Sequence, residues 1–525
     1  MDWGSNITYL ASTAFKERTT PFGVKDTDRL QHVCVLGRVG SGRAALLARM
    51  ALQDIERGVG VIILDASGNL GPLVMERLNT DELERLVHLD AADAEYPFSW
   101  KAADEFRGTE RGEAMFKDVL PSLYGVVRSD LTDFAAEFIL KNPDRTVLDL
   151  FTLVADEKER NTLIPPDSEE GIKLKTLVDA DKEHTTALSE SGRYLAKDTM
   201  VRNLLGQTEG KVHLSALAER GLVIVDLSRI RIFPTRITPL IKLFAYTART
   251  VSGGGAPIGL YLHDCLRYFS EEDTDSLFSD HSLALTLSDT VYREADLPLR
   301  EKALTKCGSI VAFQPHQSDL PLAEKVFYPY VTPEELSGLD DGEACVQLTI
   351  DEARTKPFFA TTLALPERKN VSLQDVLVLA RQRYATPRAK VDAQFKKGVE
   401  DSKDKKGGPP AFSDAFKNIF AKRAAAAEAG KPNPNLPPTL DGVQNGPTTI
   451  PASPPVSAPK PPTTPAPQNV APQEPPKAPP PVAPPPASLP PVEVAKLTDK
   501  ATDGIVHELP EEDLRQLLYV SPLPA

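Results

Sequence analysis

Short apolar runs, separated by longer stretches with helical spacing, recur along the first 365 residues of the chain. Each run is apolar throughout and lacks the polar alternation of a strand that exposes one face to water. This pattern is typical of a parallel sheet covered by helices on both faces, so we predict an α/β fold. The runs predict strands at 32–36, 61–65, 221–226, 259–262, 283–287 and 309–313, with an edge hairpin formed by 346–350 and 359–363.

Helical spacing fills the intervals between these runs. A helix is predicted over 43–57, where Leu46, Leu47 and Met50 lie on one face. Residues 101–220 repeat apolar positions at intervals of three and four and contain no convincing strand. We therefore interpret this stretch as a helical insertion in the α/β domain.

Proline content separates the last hundred residues from the rest. The chain has 47 prolines, and 24 of them fall between Pro432 and Pro491. Such a stretch cannot bury enough apolar surface to form a core, so residues 426–495 are predicted to be a disordered Pro/Ala-rich linker. Beyond it, Leu509–Val520 has the pattern of a short amphipathic helix. A helix after a tether is either a docking peptide for a partner protein or a helix that folds back on its own domain.

These patterns predict six segments along the 525 residues. Two parts of one α/β domain flank the helical insertion, and a charged helical extension leads from the domain into the linker. The segments are the first part of the α/β domain (1–100), the insertion (101–220), the second part of the domain (221–365), the helical extension (366–425), the linker (426–495) and the terminal docking helix (496–525).

Charge, cysteine content and hydropathy exclude several classes of protein. The net charge is −14, which excludes a globally basic nucleic-acid coat but leaves room for a local basic channel. The four cysteines are far apart and form no metal-spaced cluster with the eight histidines, so we expect buried, reduced thiols and no structural zinc. No apolar run approaches the roughly 18 residues of a membrane span, and the first ten residues lack a secretory pattern. We expect a cytoplasmic protein, with a peripheral location at the inner face of the membrane as the alternative.

The strongest local motif is a glycine-rich loop between the first predicted strand and the first long helix. Its spacing, G-x-x-x-x-G, is that of a phosphate-binding loop, in which backbone N–H groups surround a phosphate at a helix N-terminus. Two chemical positions differ, because arginine replaces the expected lysine and alanine replaces the hydroxyl that holds Mg²⁺. The alternative is an ordinary glycine-rich turn. The candidate nucleotide-binding residues are Gly37, Arg38, Val39, Gly40, Ser41, Gly42, Arg43 and Ala44.

Carboxylates follow two of the predicted strands. Asp65 ends the second strand and is a further candidate for nucleotide binding, and Asp264 follows the strand at 259–262. In nucleotide-hydrolysing sheets one such aspartate supports Mg²⁺, so Asp264 is a candidate catalytic and magnesium-binding residue. Cys265 comes directly after it, where a general base would be expected. The alternative is that each aspartate caps the turn after its strand.

The order of motifs along residues 8–395 resembles the TraD/TraG-like coupling ATPases of type IV secretion, in the HerA/FtsK superfamily of DNA pumps. The resemblance is closest to the soluble forms of that family. Besides the glycine-rich loop, the matching segments are 8–15, 21–25, 28–32, Asp-Ala-Ser-Gly-Asn-Leu at 65–70, Tyr-Pro-Phe-Ser-Trp at 96–100, Arg-Asn-Leu-Leu-Gly-Gln at 202–207, 221–229, 260–269 and Arg-Gln-Arg-Tyr at 381–384.

The resemblance implies a RecA-like P-loop domain with a helical insertion, assembled as a hexameric ring around DNA. It also implies ATP and Mg²⁺ as cofactors, and DNA and secretion-system proteins as partners. The family function would be ATP-driven DNA translocation in conjugation or secretion.

The departures from the family all concern chemistry. Arg43 and Ala44 replace the family's lysine and hydroxyl residue, and Cys265 stands at the degenerate position of its catalytic glutamate. Ser288 lies where a sensor glutamine would follow its strand, and Gln314 lies near the place of a subunit-bridging arginine. We interpret the chain as a pseudo-ATPase subunit that associates with itself or shares a ring with an active paralogue, and whose terminal helix recruits a partner. The alternatives are an active DNA translocase with an unusual loop, and a DNA-binding module without nucleotide chemistry.

Overall fold

The computed structural model describes residues 6–15, 18–155, 157–214, 221–252, 257–290, 297–369 and 371–395. These residues belong to one compact unit. The predicted linker at 426–495, the terminal segment at 496–525 and most of the extension at 366–425 lie outside the described residues. The boundaries of the six segments therefore stay predictions.

Thirteen strands form in the described residues, and eleven of them share one sheet. The remaining two form a small separate hairpin. In chain order the strands are β1 (Ile7–Phe15), β2 (Arg18–Lys25), β3 (Val33–Leu36), β4 (Val61–Asp65), β5 (Leu86–Asp90), β6 (Leu222–Asp226), β7 (Ile258–His263), β8 (Leu283–Ser288), β9 (Ser309–Phe313), β10 (Glu343–Gln347), β11 (Thr349–Ile350), β12 (Ala353–Arg354) and β13 (Phe358–Thr362).

The large sheet has a parallel part and an antiparallel part. Its order is β2-β1-β13-β10-β9-β3-β8-β7-β4-β6-β5. From β9 to β5 every neighbouring pair is parallel, whereas from β2 to β9 every pair is antiparallel. The predicted mainly parallel α/β fold is therefore confirmed.

Helices cover both faces of the sheet and fill the interval between β5 and β6. Most begin at a Ser, Thr, Asp or Asn whose side chain accepts a hydrogen bond from the first turn, as in α5, α6, α9 and α13 below. In chain order the helices are α1 (Asp26–Arg29), α2 (Arg43–Glu56), α3 (Leu70–Met75), α4 (Thr80–Arg85), α5 (Glu110–Leu123), α6 (Asp130–Lys141), α7 (Asp149–Ala155), α8 (Glu157–Leu163), α9 (Glu169–Ala180), α10 (Lys182–Lys197), α11 (Thr199–Leu205), α12 (Pro234–Ser252), α13 (Glu271–Phe278), α14 (Leu297–Lys306), α15 (Leu320–Phe327), α16 (Pro333–Ser337) and α17 (Leu373–Tyr384).

The parallel strands are buried on both faces, which explains their continuous apolar runs. In β4, Ile62 and Leu64 belong to one apolar core together with Phe244 of α12. Val61 and Ile63 of the same strand belong to a second core on the opposite face, with the apolar side of α2. Alternate side chains of one strand therefore hold two helical layers onto the sheet.

The predicted strands and the predicted α2 helix are confirmed to within a few residues. The predicted pairing is present, because β10 and β13 are antiparallel neighbours, but its place at the edge is wrong: β1 and β2 lie beyond β13. Residues 349–350 of the predicted strand belong instead to the separate β11–β12 hairpin. The sequence interpretation missed the β1–β2 hairpin and the strand β5. In the described part of 101–220 there is no strand, as predicted, and no helix of the described residues is long and apolar enough to cross a membrane.

Candidate nucleotide site at the glycine-rich loop

The glycine-rich loop, residues 37–42, connects β3 to α2 near the middle of the sheet. β3 lies between β9 and β8, and β7 follows β8 in the sheet order. Because these strands are parallel, their carboxyl ends meet at one edge, where ligands of α/β sheets usually bind. Asp264 after β7 and Ser288 at the end of β8 therefore come close to the start of α2.

Three glycines give the loop its shape. Gly37, Gly40 and Gly42 have φ angles of 147°, 89° and 118°, a region that other residues rarely adopt. Gly37 and Gly42 also lie against Phe313 of β9, since a Cβ at either position would approach its side chain to 2.8 and 2.9 Å. These three positions therefore require glycine, which leaves the phosphate-loop interpretation of the spacing a prediction.

Several hydrogen bonds connect the loop to neighbouring parts of the chain. The backbone N–H of Arg38 donates to the Gln314 carbonyl at 2.9 Å, and that of Ser41 donates to the Arg38 carbonyl at 3.3 Å. The Arg38 side chain bonds the Gln314 side chain and, at 2.8 Å, the Asp341 carboxylate. Gly342 N–H donates to the Ser41 carbonyl at 3.1 Å. Two loop N–H groups are therefore already used inside the protein.

Arg43, the first residue of α2, is buried and points across the site. Its Nη1 donates to Asp264 Oδ1 at 3.1 Å and to Ser288 Oγ at 2.8 Å, and its Nη2 donates to Thr290 Oγ1. The Arg43 and Asp264 side chains are each only 5% exposed. This guanidinium therefore forms a buried ion pair with the carboxylate that the sequence predicts as a candidate magnesium ligand.

Local backbone geometry fixes the position of Asp264. Its φ angle is 57°, in the left-handed region, and its N–H donates to the Ser288 carbonyl at 2.8 Å. Thr290 Oγ1 donates to Asp264 Oδ1 at 3.2 Å. Burial alone would raise the pKa of Asp264, but the charges of Arg43 and His263 and the hydrogen bonds hold it below its ordinary value. Asp264 is therefore ionised and neutralised from within the protein.

A second carboxyl group lies beside this pair. Burial and the Asp264 charge raise the pKa of Asp289 to about 6, although the Arg300 charge opposes them. Asp289 Oδ2 accepts the Leu266 N–H at 2.8 Å, and Arg300 Nη2 donates to the Asp289 carbonyl oxygen at 3.0 Å. Sequence reasoning missed Asp289, Thr290 and Arg300 as members of the site. The sequence signal for Asp289 and Thr290 was the polar run at the end of β8, whereas Arg300 lies in α14 and had no such signal.

Cys265 has no access to a reacting water. Its side chain is fully buried, and its Sγ donates to the carbonyl oxygens of Leu64 and His263 at 3.3 and 3.4 Å. Burial raises the pKa of the Cys265 thiol well above its ordinary value. A neutral buried thiol cannot act as the general base of phosphoryl transfer.

Asp65 does not contact the Arg43 guanidinium, and its carboxylate serves the turn that follows β4. It accepts N–H bonds from Gly68, Leu70 and Gly71 at 2.8 to 2.9 Å, and from Ser67 at 3.1 Å. These bonds hold the start of α3, as the capping alternative predicts.

The residues at the loop do not fit a Mg²⁺-nucleotide. Ala44 offers no ligand oxygen, the Asp264 carboxylate is paired with Arg43, and Cys265 is no base. Among the described residues no group of three or more His, Cys, Asp or Glu side chains could hold a metal ion. Of the predicted residues, the structure joins Arg43 to Asp264 in a buried ion pair. The Cys265 side chain bonds backbone carbonyls instead.

Comparison with known proteins gives structural likeness only. No family model matches the chain, and no curated protein matches its sequence. Among solved structures it is similar to the unbound monoclinic form of the bacterial conjugative coupling protein TrwBdeltaN70, at 14% identity and a TM-score of 0.49, over 67% of this chain and 89% of that one. TrwB in complex with ADP and Mg²⁺ matches at 14% identity and 0.45, over 67% and 88%. VirB4 of Thermoanaerobacter pseudethanolicus matches at 12% identity and 0.44, over 69% and 98%.

Proposed function

We propose that the chain is a hydrolysis-deficient pseudo-ATPase of the type IV secretion coupling kind, which keeps the P-loop architecture for assembly. The observation that carries this proposal is the buried ion pair between Arg43 and Asp264. In this proposal the chain assembles with further copies of itself or with an active paralogue in a mixed ring. DNA and secretion-system proteins would be the other partners of that assembly. A cytoplasmic place, peripheral to the inner membrane, fits this role.

The ion pair opposes nucleotide binding energetically. A Mg²⁺-nucleotide would need Asp264 free, so Arg43 would have to leave its three partners. Breaking a buried pair costs about 3–5 kcal/mol. Since 1.4 kcal/mol is a factor of ten, that cost weakens binding by roughly 10²- to 4 × 10³-fold.

Hydrolysis faces a second obstacle at Cys265. Phosphoryl transfer depends on positioned charges and an oriented water. Losing one electrostatic contact of this kind typically costs about 10²–10³ in rate, and here the base and the metal-ligating hydroxyl are both replaced. The missing hydroxyl at Ala44 affects metal binding, and the missing base at Cys265 affects activation of the attacking water. Restoring one of these groups therefore leaves the other defect in place.

The second candidate is an active translocase with an unusual phosphate loop. The observation in its favour is the loop backbone, with three glycines at positive φ in front of the 14-residue helix α2. In that case a neighbouring subunit would have to supply the missing groups.

The test is ATP turnover by the full chain, with and without single- and double-stranded DNA. We expect none above the Asp264→Asn variant, which serves as the control for contaminating activity. The Arg43→Lys/Ala44→Ser variant should also stay inactive until Cys265→Glu is added. DNA-stimulated turnover by the unchanged chain, lost in Asp264→Asn, would favour the second candidate. Turnover restored by the loop changes alone would contradict the role given to Cys265.

A further inference from the structure

A groove of about 530 Å³ lies beside the outermost strand of the parallel part, far along the sheet from the glycine-rich loop. One wall is α17, and the other is formed by Leu78 and Asn79 between α3 and α4, by α4 itself and by β5. Its volume is in the range of cavities that bury ligands, roughly 300–1,000 Å³. The groove takes no part in the Arg43 network.

Helix α17 presents an unfilled face to this groove. Val376, Leu379 and Arg383 line it at helical spacing, while Ala380 is the only buried residue of α17. On this face Leu379 is 39% exposed and Val376 is half-buried. An apolar helix face at this level of exposure is typical of a surface that another segment covers.

The two walls combine an apolar floor with a basic rim. The opposite wall contributes Leu78, Leu83 and Leu86 to the floor. On the rim, Lys369 and Arg383 form no ion pair with any residue of the described ranges; Arg383 donates only to the Glu84 carbonyl, at 3.1 Å. One carboxylate, Asp375, also lines the groove. A matching occupant therefore has an apolar stripe, an acidic cluster and a single cation.

We propose that this groove is the seat of the chain's own C-terminal segment, Leu509–Val520. The segment has the complementary chemistry in twelve residues: leucines at i, i+3 and i+4, three consecutive acidic residues and one arginine. The matching residues are Leu514, Leu517 and Leu518 for the floor, Glu511, Glu512 and Asp513 for the rim cations, and Arg515 for Asp375.

The length of the chain beyond the described part permits this contact. The described chain ends at Phe395, and residues 396–508 connect it to the segment. One residue spans up to about 3.3 Å of chain, so a connection of this length is many times longer than a domain is wide. A contact within one chain forms at an effective concentration set by its connection, which favours it over the same contact between separate chains.

The first test is hydrogen exchange in the full chain, comparing Leu517→Asp/Leu518→Asp with the unchanged protein. We expect exchange over 80–86 and 373–384 to become several-fold faster in the variant, because the groove loses its cover. Gln516→Asp, which adds a charge on the opposite side of the predicted helix, is the matched control and should leave exchange unchanged. Equal exchange in the double variant and the unchanged chain would overturn the proposal.

The second test distinguishes this occupant from others. A fluorescent peptide of residues 505–525 should bind the Leu517→Asp/Leu518→Asp chain with a Kd of roughly 10–100 μM, and the unchanged chain at least tenfold more weakly because its own segment competes. Adding Leu379→Asp, at an exposed position, should abolish binding.

Equal affinity for both chains would contradict intramolecular docking. A concentration-dependent dimer that the segment variant abolishes would identify a second copy as the occupant and overturn the proposal. Neither test involves nucleotide, so its outcome is independent of the proposed function.

Discussion

Arg43 holds the position at which a lysine would meet phosphates, but its partners are protein groups. Its planar fork reaches a carboxylate and two hydroxyls at once, a geometry that a lysine ammonium cannot reproduce. The guanidinium supplies the positive charge that Asp264 needs in a buried place, which is the electrostatic role of a metal ion. The Arg43 side chain therefore neutralises the buried Asp264 carboxylate without a ligand.

Replacing Arg43 by methionine should destabilise the protein by about 3–5 kcal/mol, because Asp264 would remain buried without its counter-charge. The free energy of unfolding in urea measures this. Arg38→Met is the matched control, since the Arg38 side chain is 43% exposed and should change stability by less than about 1 kcal/mol. The Arg43→Met/Asp264→Asn variant should recover part of the loss. A double variant no more stable than Arg43→Met would contradict the ion-pair account.

Asp289 should give stability a distinct pH dependence. Its pKa of about 6 in the folded state exceeds the ordinary aspartate pKa of 3.8, so the folded state binds more protons between these values. The stability that this carboxyl contributes is present below pH about 4 and is lost as the pH rises through about 6, by about 2–3 kcal/mol in total. Asp289→Asn should remove this part of the pH profile. Parallel profiles for the variant and the unchanged chain would show that Asp289 is ionised normally.

At the residue scale the sequence identified the loop, Asp264 and Cys265, because each stands next to a recognisable strand. It could not show that Arg43 turns to Asp264, since the two are 221 residues apart and meet only through the strand order. Ser288 and Thr290 accept hydrogen bonds from Arg43 only because the strand order brings their hydroxyls to the same place, so their sequence alone does not mark them. The Asp65 cap, by contrast, is a local interaction, and the sequence offered it as an alternative.

At the scale of elements, α2 is fixed to the sheet at both ends. Its first residue bonds Asp264, and near its last turn Asp54 is fully buried among three donors. Asp54 accepts two bonds from Arg29 at 2.6 and 2.8 Å, one from Arg57 at 2.6 Å and one from Tyr261 at 2.5 Å. Burial opposes the ionisation of Asp54, but the Arg29 charge and bond leave its pKa below the ordinary value.

Removing the Asp54 charge should loosen this end of α2. Asp54→Asn leaves the buried Arg29 without a counter-charge, so we expect a loss of about 3–5 kcal/mol in the free energy of unfolding. Tyr261→Phe removes one hydrogen bond and should cost about 1–2 kcal/mol. Asp341→Asn is the control, because the Asp341 side chain is 67% exposed and its bridge to Arg38 lies at the surface. A loss in Asp54→Asn no larger than in this control would refute the anchoring role.

The sequence identified elements best where burial is complete. β3, β4, β6, β7, β8 and β9 are buried on both faces, and their apolar runs are unambiguous. The apolar pattern of β1 and β2 is interrupted by threonines, and β2 also contains a proline. β2 is the edge strand of the sheet, where a proline is tolerated. β5 is short and contains His88, so its sequence lacks a continuous apolar run. Its strand conformation comes with its parallel pairing to β6, which the sequence does not show.

At the scale of the whole molecule, the sheet order separates the ion-pair network from the groove. The network lies at β7 and β8, whereas the groove lies at β5, and β4 and β6 stand between them. We therefore expect the two to act independently: Arg43→Met should leave the exchange protection of 373–384 unchanged under conditions where the variant is folded. A change there would indicate coupling through the sheet.

The most direct test of the account is calorimetric titration of the full chain with ATP and Mg²⁺. The buried Arg43–Asp264 pair predicts no saturable binding up to about a millimolar, because a nucleotide must first break the pair. Arg43→Lys/Ala44→Ser, which frees Asp264 and restores a hydroxyl, should bind at least tenfold more tightly while remaining folded by circular dichroism. Micromolar binding by the unchanged chain, or equal affinity in the two proteins, would contradict the account.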